Sequence, residues 1–182
     1  APGQHWVGTL AGLRAVKNLP RLVRAFAPLP VDWHLVILGE GPEREAIAAQ
    51  ARACGIAERV HLPGFVPDPA RAVGLFDVFA LSSDSEQFPI SVVEAMAAGL
   101  PVASPDVGDV AGMVGESNRR FVTPARDEAA LSASLAALTA DAGLRVAIGE
   151  ANRAHAQAHY DEAAMIRAYR HTYRAAMGLP PD

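Results

Sequence analysis

Cysteine is almost missing from this chain: Cys54 is the single one among 182 residues. That excludes an internal disulfide and a Cys-rich zinc site, and it fits a reducing compartment. Lysine and arginine nowhere cluster, and the formal charge is −4 with a sequence pI near 5.9. The electrostatic footprint of a nucleic-acid binder is therefore lacking. No apolar run reaches the roughly 18 to 20 residues that a membrane span requires. The opening residues, APGQHWVGTL, lack the charged start and long apolar stretch of a signal peptide. They read as a chain that begins at, or one step before, a strand, as an excised fragment would. There is no internal repeat and no low-complexity linker, although PGFVPDPA (63–70) is a Pro-rich loop.

Several signatures of chemistry are lacking too. GEGPER (39–44) carries Arg44 where a dinucleotide fingerprint needs its last glycine. LSSDSE is Ser-rich but has no G-x-S-x-G elbow. His155 and His159 stand four apart on a helix with neither an intervening glutamate nor a third ligand, so a solvated face is expected, and no metal site. His61 reads as structural, and Cys54, before Gly55 at a helix end, as a small buried hydrophobe.

What is present is apolar side chain, 51% of the chain. That suffices for a sizeable core, and residues 1–182 read as one domain. Strands are expected at 5–10, 33–39, 59–64, 77–83, 101–105 and 119–124. Helices are expected at 19–29, 42–55, 69–76 and 90–99, followed by three more from Asp127 onward. WHLVILG (33–39) is nearly all apolar, as a strand buried on both faces of a parallel sheet would be. The second helix opens on Pro42 and closes on Gly55. Alternating strands and helices predict an α/β fold, a doubly wound, mostly parallel Rossmann-like sheet with extra C-terminal helices. In such sheets a ligand sits at the carboxyl ends of the strands.

One stretch there, SSDSEQFPISVVEAMAAGLPV (82–102), sets Glu86 in a loop and Glu94 among Val92, Val93, Ala95 and Met96. A helix start with free N–H groups is an anion site. Pro89 has no N–H, which leaves the amides of Ile90 and Ser91 as donors. Glu94, three and four residues on, faces the same side. A carboxylate there would repel a bare phosphate and suits paired hydroxyls, such as those of a ribose; Glu86 would reach a group beyond the phosphates. The layout is that of a nucleotide sugar. The alternative is that either glutamate is a solvated helix-face residue or a charge serving the helix dipole.

SEQFPISVVEAMAAGLPVASPDVGDV (85–110) resembles the E-x7-E region of the retaining, GT-B-fold glycosyltransferases of family 4. VGTLAGLRAVKNLPRLVRAF (7–26), HLVILGEGPERE (34–45), RVHLPGFVPD (59–68) and FDVFALSSDSEQ (76–87) resemble further parts of that family in the same order. The resemblance implies that Glu94 binds the donor ribose and Glu86 contacts the transferred sugar. The amides of Ile90 and Ser91 would hold the diphosphate with Lys17, and Phe88 would belong to the same donor loop. Phe65 and Val66 would lie by the base, UDP or GDP. The family's usual arginine falls on Gly12, with Arg14 as the substitute from the same loop, and an acidic residue often found at Gly112 is lacking.

It also implies only one of two Rossmann-like domains: the N-terminal, acceptor-binding one would be missing. The acceptor would be a saccharide or a lipid-linked hydroxyl. The nucleotide sugar is a substrate, and no cofactor or metal is implied. The expected setting is bacterial and cytoplasmic, at the inner face of the membrane, with any peripheral membrane association made through the missing half. Tyr169 and Tyr173 in the last helix would either face that half or cover this domain's own core. Two other assignments fit the same residues: a GT-B-fold sugar-nucleotide epimerase, and a non-catalytic nucleotide-sugar-binding domain.

Overall fold

The computed structural model describes residues 3–180; Ala1, Pro2, Pro181 and Asp182 of the expected 1–182 unit lie outside the described residues. Strands and helices alternate as β1 (His5–Leu10), α1 (Leu19–Phe26), β2 (Trp33–Leu38), α2 (Arg44–Ala53), β3 (Val60–Gly64) and α3 (Pro69–Val73). They continue as β4 (Val78–Ala80), α4 (Ile90–Ala97), β5 (Val102–Pro105), α5 (Val110–Met113) and β6 (Val122–Thr123). Three helices finish the chain: α6 (Glu128–Ala140), α7 (Ala142–His159) and α8 (Glu162–Ala176). The six strands form one sheet in the order β3-β2-β1-β4-β5-β6, and every pairing is parallel. The chain thus winds outward one way from β1, then returns to its other side with β4. That reversal opens a crevice at the carboxyl ends of β1 and β4.

Two apolar layers sandwich the sheet, as the double winding requires. On one face Leu22 and Phe26 of α1, Ile47 of α2 and Leu131, Leu135 and Leu138 of α6 pack over Val7, Leu35 and Ile37. On the other, Val92 and Met96 of α4, Met113 of α5 and Ala156 of α7 cover Phe79 and Val102. α4 and α7 cross closely. A Cβ on Gly149 would stand 2.0 Å from the carbonyl oxygen of Gly99, so only glycine allows that approach.

The expected helices from Asp127 onward are present, each started by an aspartate. Asp127, Asp141 and Asp161 accept hydrogen bonds from the N–H groups of Ala130, Leu144 and Ala164 at 2.9, 2.9 and 2.7 Å. The strand expected at 119–124 is mostly a 3-10 turn, Glu116–Phe121, and only Val122–Thr123 pair with β5. Asn118 explains the difference. Its side chain, fully buried, accepts from Val102 N–H and donates to Val102 C=O, both at 2.8 Å, and so coils the segment onto β5. α1 ends at Phe26, two residues short of Pro28, rather than at Leu29. α2 starts at Arg44 rather than Pro42, and Glu43 N–H just before it donates to Leu13 C=O at 3.0 Å. Cys54 is only partly buried, and its sulfur accepts from the Gln50 amide at 3.3 Å.

Candidate functional site

The loops after β1 and β4 meet in the crevice, and side chains staple them together. After β1 the chain makes a 3-10 turn, Ala15–Lys17, and passes through Asn18 in a left-handed conformation (φ 41°, ψ 49°) into α1. From the β4 side, Ser82 Oγ donates to Lys17 C=O at 2.9 Å and Asp84 N–H donates to Val16 C=O at 2.8 Å. Arg21 of α1 donates to Ser82 C=O at 3.2 Å and to Asp84 Oδ1 at 2.6 Å, and Asn18 Nδ2 reaches Asp84 Oδ2 at 3.2 Å. Within this frame Lys17 Nζ donates to Glu86 Oε1 at 2.7 Å, and Ser83 Oγ donates to the same oxygen at 2.6 Å. The side chains of Lys17 and Glu86 are 25% and 10% exposed. One glutamate oxygen is thus held, while no described residue bonds the other. An ammonium with two N–H groups to spare stands beside it.

Helix α4 begins next to this pair. Pro89 caps it without an N–H, no acidic residue occupies the first turn, and the first closing bond is Val92 N–H to Pro89 C=O at 2.9 Å. The amides of Ile90 and Ser91 precede that bond and lack helical partners. Glu94 sits one turn in, half-buried beside the fully buried Val92, Ala95 and Met96. Burial raises its carboxyl above the usual carboxylate range. No hydrogen bond or ion pair from the described residues reaches it. It is therefore neither a freely solvated helix-face charge nor half of a structural pair. Phe88, exposed on the loop, meets Tyr160 edge-on at 5.7 Å, and Tyr160 Oη donates to Met113 C=O at 3.2 Å.

The loops after β2 and β3 form a neighbouring pocket of about 400 Å³, where Phe65 and Val66 face Leu10 to Gly12 and Leu38 to Glu40. Its wall is tight: a Cβ on Gly39 (φ +137°) would fall 2.0 Å from Ala11 C=O, a conformation and a contact that glycine alone accepts. Glu40 Oε1 accepts from Phe65 N–H at 3.5 Å. Gly12 borders this pocket, and the exposed Arg14 lies against it, with Nε 3.5 Å from where a Gly12 Cβ would be. A guanidinium is therefore present beside Gly12, supplied two residues later. Gly112 faces open space.

The β1 loop thus carries Arg14 and Lys17, and the segment from β4 into α4 carries Glu86, Phe88, Ile90, Ser91 and Glu94; the Lys17–Glu86 contact joins the two, and Phe65 and Val66 line the neighbouring pocket with Leu10 to Gly12. Sequence reasoning missed Asn18, Arg21, Asp84, Glu40 and Tyr160. Arg21 and Asp84 are 63 positions apart, and only the return of the chain to the far side of β1 makes them neighbours.

Away from the crevice, His155 departs from expectation. It is half-buried, and its pKa is lowered by that burial and then by His159, whose ring lies 4.4 Å away; only His159 is exposed. His61 pairs with His34 at 3.0 Å. Among the described residues no group of three or more His, Cys, Asp or Glu is placed to hold a metal ion. No single helix among them is long and apolar enough to cross a membrane. Tyr169 and Tyr173 are 58% and 65% exposed, so they do not cover this chain's own core.

Comparison with known proteins places the chain in a family. The family model "Glycosyl transferases group 1" matches residues 2–155. The lipopolysaccharide core biosynthesis mannosyltransferase LpcC of Rhizobium leguminosarum bv. viciae is 30% identical over 167 residues, 87% of this chain and 47% of that protein. The N-acetyl-alpha-D-glucosaminyl L-malate synthase of Bacillus anthracis is 25% identical over 90% of this chain and 44% of its own length. Among solved structures, Anabaena HepE in complex with UDP superposes with a TM-score of 0.88 at 22% identity, over 95% of this chain and 49% of that one. Sucrose-phosphate synthase from Thermosynechococcus elongatus gives 0.89 at 24%, over 98% and 47%. The chain spans about half the length of these relatives. With a family model covering most of its residues, this chain belongs to the group 1 glycosyl transferases.

Proposed function

We propose that this chain is the donor-binding, C-terminal half of a retaining, family 4 glycosyltransferase of GT-B architecture. It moves a sugar from a nucleoside diphosphate sugar to a hydroxyl of a saccharide or lipid-linked acceptor. One observation supports the reading: along the β4–α4 segment Glu86, held by Lys17 at 2.7 Å, is followed by the amides of Ile90 and Ser91, which lack helical partners, and then by Glu94, a carboxylate that no described residue bonds. This is the order sugar, diphosphate, ribose. Glu94 takes the ribose hydroxyls. The amides, Lys17 and Arg14 take the diphosphate, and Glu86 orients the transferred sugar through its open oxygen. The pocket at Phe65 and Val66 takes the base, and Phe88 shapes the donor loop. The solved complexes of HepE contain UDP and UDP-glucose, which supports a uridine donor.

Catalysis, in this reading, is electrostatic. Charge develops on the departing diphosphate, where fixed amide dipoles and Lys17 meet it without reorganising. No resident metal is assigned to that task. The acceptor half lies outside this chain, and the apolar face of α8 turns toward it. The enzyme works in the cytoplasm, at the inner face of the membrane.

The test is turnover in the full-length protein that carries this chain, given UDP- and GDP-sugars with and without a panel of saccharide and lipid-linked acceptors. Acceptor-dependent release of the nucleotide, with the product's anomeric configuration unchanged, is expected. Epimerised sugar without acceptor identifies an epimerase instead. Donor binding without release or transfer under any acceptor identifies a non-catalytic binding domain.

A further inference from the structure

The Lys17–Glu86 pair is joined to the fold by loops rather than by strands or helices. Lys17 ends a single 3-10 turn, and Glu86 lies between β4 and α4, outside both. Loop residues hold their geometry only where other groups fix the backbone. Here Ser82 Oγ bonds Lys17 C=O directly at 2.9 Å, and one side chain of α1 ties the same β4 loop to the helix that follows Lys17. Arg21 is 8% exposed, rooted in α1 between the buried Leu19 and Leu22. It crosses to the β4 loop, bonding Ser82 C=O at 3.2 Å and Asp84 Oδ1 at 2.6 Å. Asp84 in turn receives Asn18 Nδ2 at 3.2 Å, and Asp84 N–H donates to Val16 C=O at 2.8 Å. Each contact falls within two residues of Lys17 or within four of Glu86. A buried guanidinium needs a partner, since removing one member strands the other charge. Arg21 and Asp84 therefore hold each other in place, and the two loops with them.

We propose that Arg21 is a positioning residue, and that its ion pair with Asp84 fixes the distance between Lys17 and Glu86. The inference rests on the proposed donor site for its functional meaning. Arg21 touches neither Lys17 nor Glu86; it acts on them through the backbone at Ser82 and through Asp84. Lysine at position 21 reaches one acceptor but lacks the planar fork that serves two. Its effect is therefore intermediate.

The experiment compares Arg21→Met, Arg21→Lys, Asp84→Asn and the control Leu135→Ala, a core truncation in α6 that lies in the α1 layer but in neither loop. Two readouts are taken. The first needs no ligand: the NMR signals of Lys17 15Nζ and of the Glu86 side-chain 13C carboxyl, with Tm recorded alongside. The second is the Kd for UDP and GDP by calorimetry. The expected result is a displacement of both NMR signals in Arg21→Met, a smaller one in Arg21→Lys and Asp84→Asn, and none in Leu135→Ala even where its Tm falls further. Nucleotide affinity drops about tenfold or more in Arg21→Met and follows the NMR displacement rather than Tm. Wild-type Lys17 and Glu86 signals in Arg21→Met overturn the proposal, as do signals displaced as far in Leu135→Ala. A wild-type chain that binds neither nucleotide removes the donor-site reading, while the ligand-free signals still decide whether Arg21 sets the pair.

Discussion

Helices α4 and α8 are opposite mismatches between side chain and surroundings. α4 has eight residues with Val92, Ala95 and Met96 buried, yet it carries the half-buried carboxylate of Glu94, which no described residue bonds. α8 has fifteen residues, none buried, and leaves Met165, Ile166, Tyr169 and Tyr173 in solvent. A carboxylate partly withdrawn from water and an exposed apolar stripe both cost free energy in the isolated chain. In the proposed function each marks where something outside the chain completes it. The chemistry differs: a carboxylate among aliphatic residues calls for hydroxyl groups of a small ligand, and aromatic rings in water call for a protein surface.

The strongest way to test the α4 end is at its entrance. Glu86→Ala in the full-length protein is expected to lower kcat by about a hundredfold or more, with donor affinity changed far less, as measured by steady-state kinetics. An unaltered kcat would separate Glu86 from the reaction and break the pairing of the two glutamates.

The α8 end is tested by Tyr169→Ser combined with Tyr173→Ser. In the full-length protein the pair should lose about 1.5 to 3 kcal/mol of stability for each ring that becomes buried there. In the present chain, where both rings are already exposed, thermal denaturation should change little. Equal losses in both settings would mean that α8 has no external partner.

Glu94→Ala comes next in size. Loss of hydrogen bonds to a charged group costs about 1.5 to 3 kcal/mol, so nucleotide affinity should fall roughly ten- to a hundredfold. The smallest effect is on the unliganded chain. Because the folded-state pKa of Glu94 is raised by burial, the folded protein binds the proton more readily than the unfolded one. Its ionised form therefore lowers stability at neutral pH, and that cost disappears as pH falls through the raised pKa toward the ordinary glutamate range. Glu94→Gln should gain stability at pH 7 and lose that gain as pH falls through the raised pKa to the ordinary glutamate range, as followed by Tm across pH. A gain that grows on acidification would show the opposite sign and contradict the burial account.

The contrast also explains what could be read from the sequence. Glu94 was legible because a carboxylate among Val92, Val93, Ala95 and Met96 breaks a local apolar pattern. β2 and the three Asp-started helices were legible for the same reason: their signals lie within one element. The turn at 116–121 was not, because Asn118 bonds to β5, 16 residues earlier in the chain, while the overlapping RRFVTP (119–124) leads into a real strand at Val122–Thr123. Arg21 and Asp84 escaped for a like cause, since each looks like an ordinary surface charge until the sheet order makes them neighbours. Arg14 was legible only as a substitute for the residue lacking at Gly12, and its place against that glycine emerged from the loop geometry.

The central claim is that the mouth of the crevice, completed by Glu94, is a nucleotide site. The most direct measurement is a titration of this chain with UDP and GDP followed by backbone amide NMR, beside a Glu94→Ala control. The account predicts saturable shifts at Lys17, Ile90, Ser91 and Glu94 with one of the two nucleotides, weakened at least tenfold in the variant. Shifts of equal affinity in Glu94→Ala, or shifts confined to residues away from the α4 start, would contradict it.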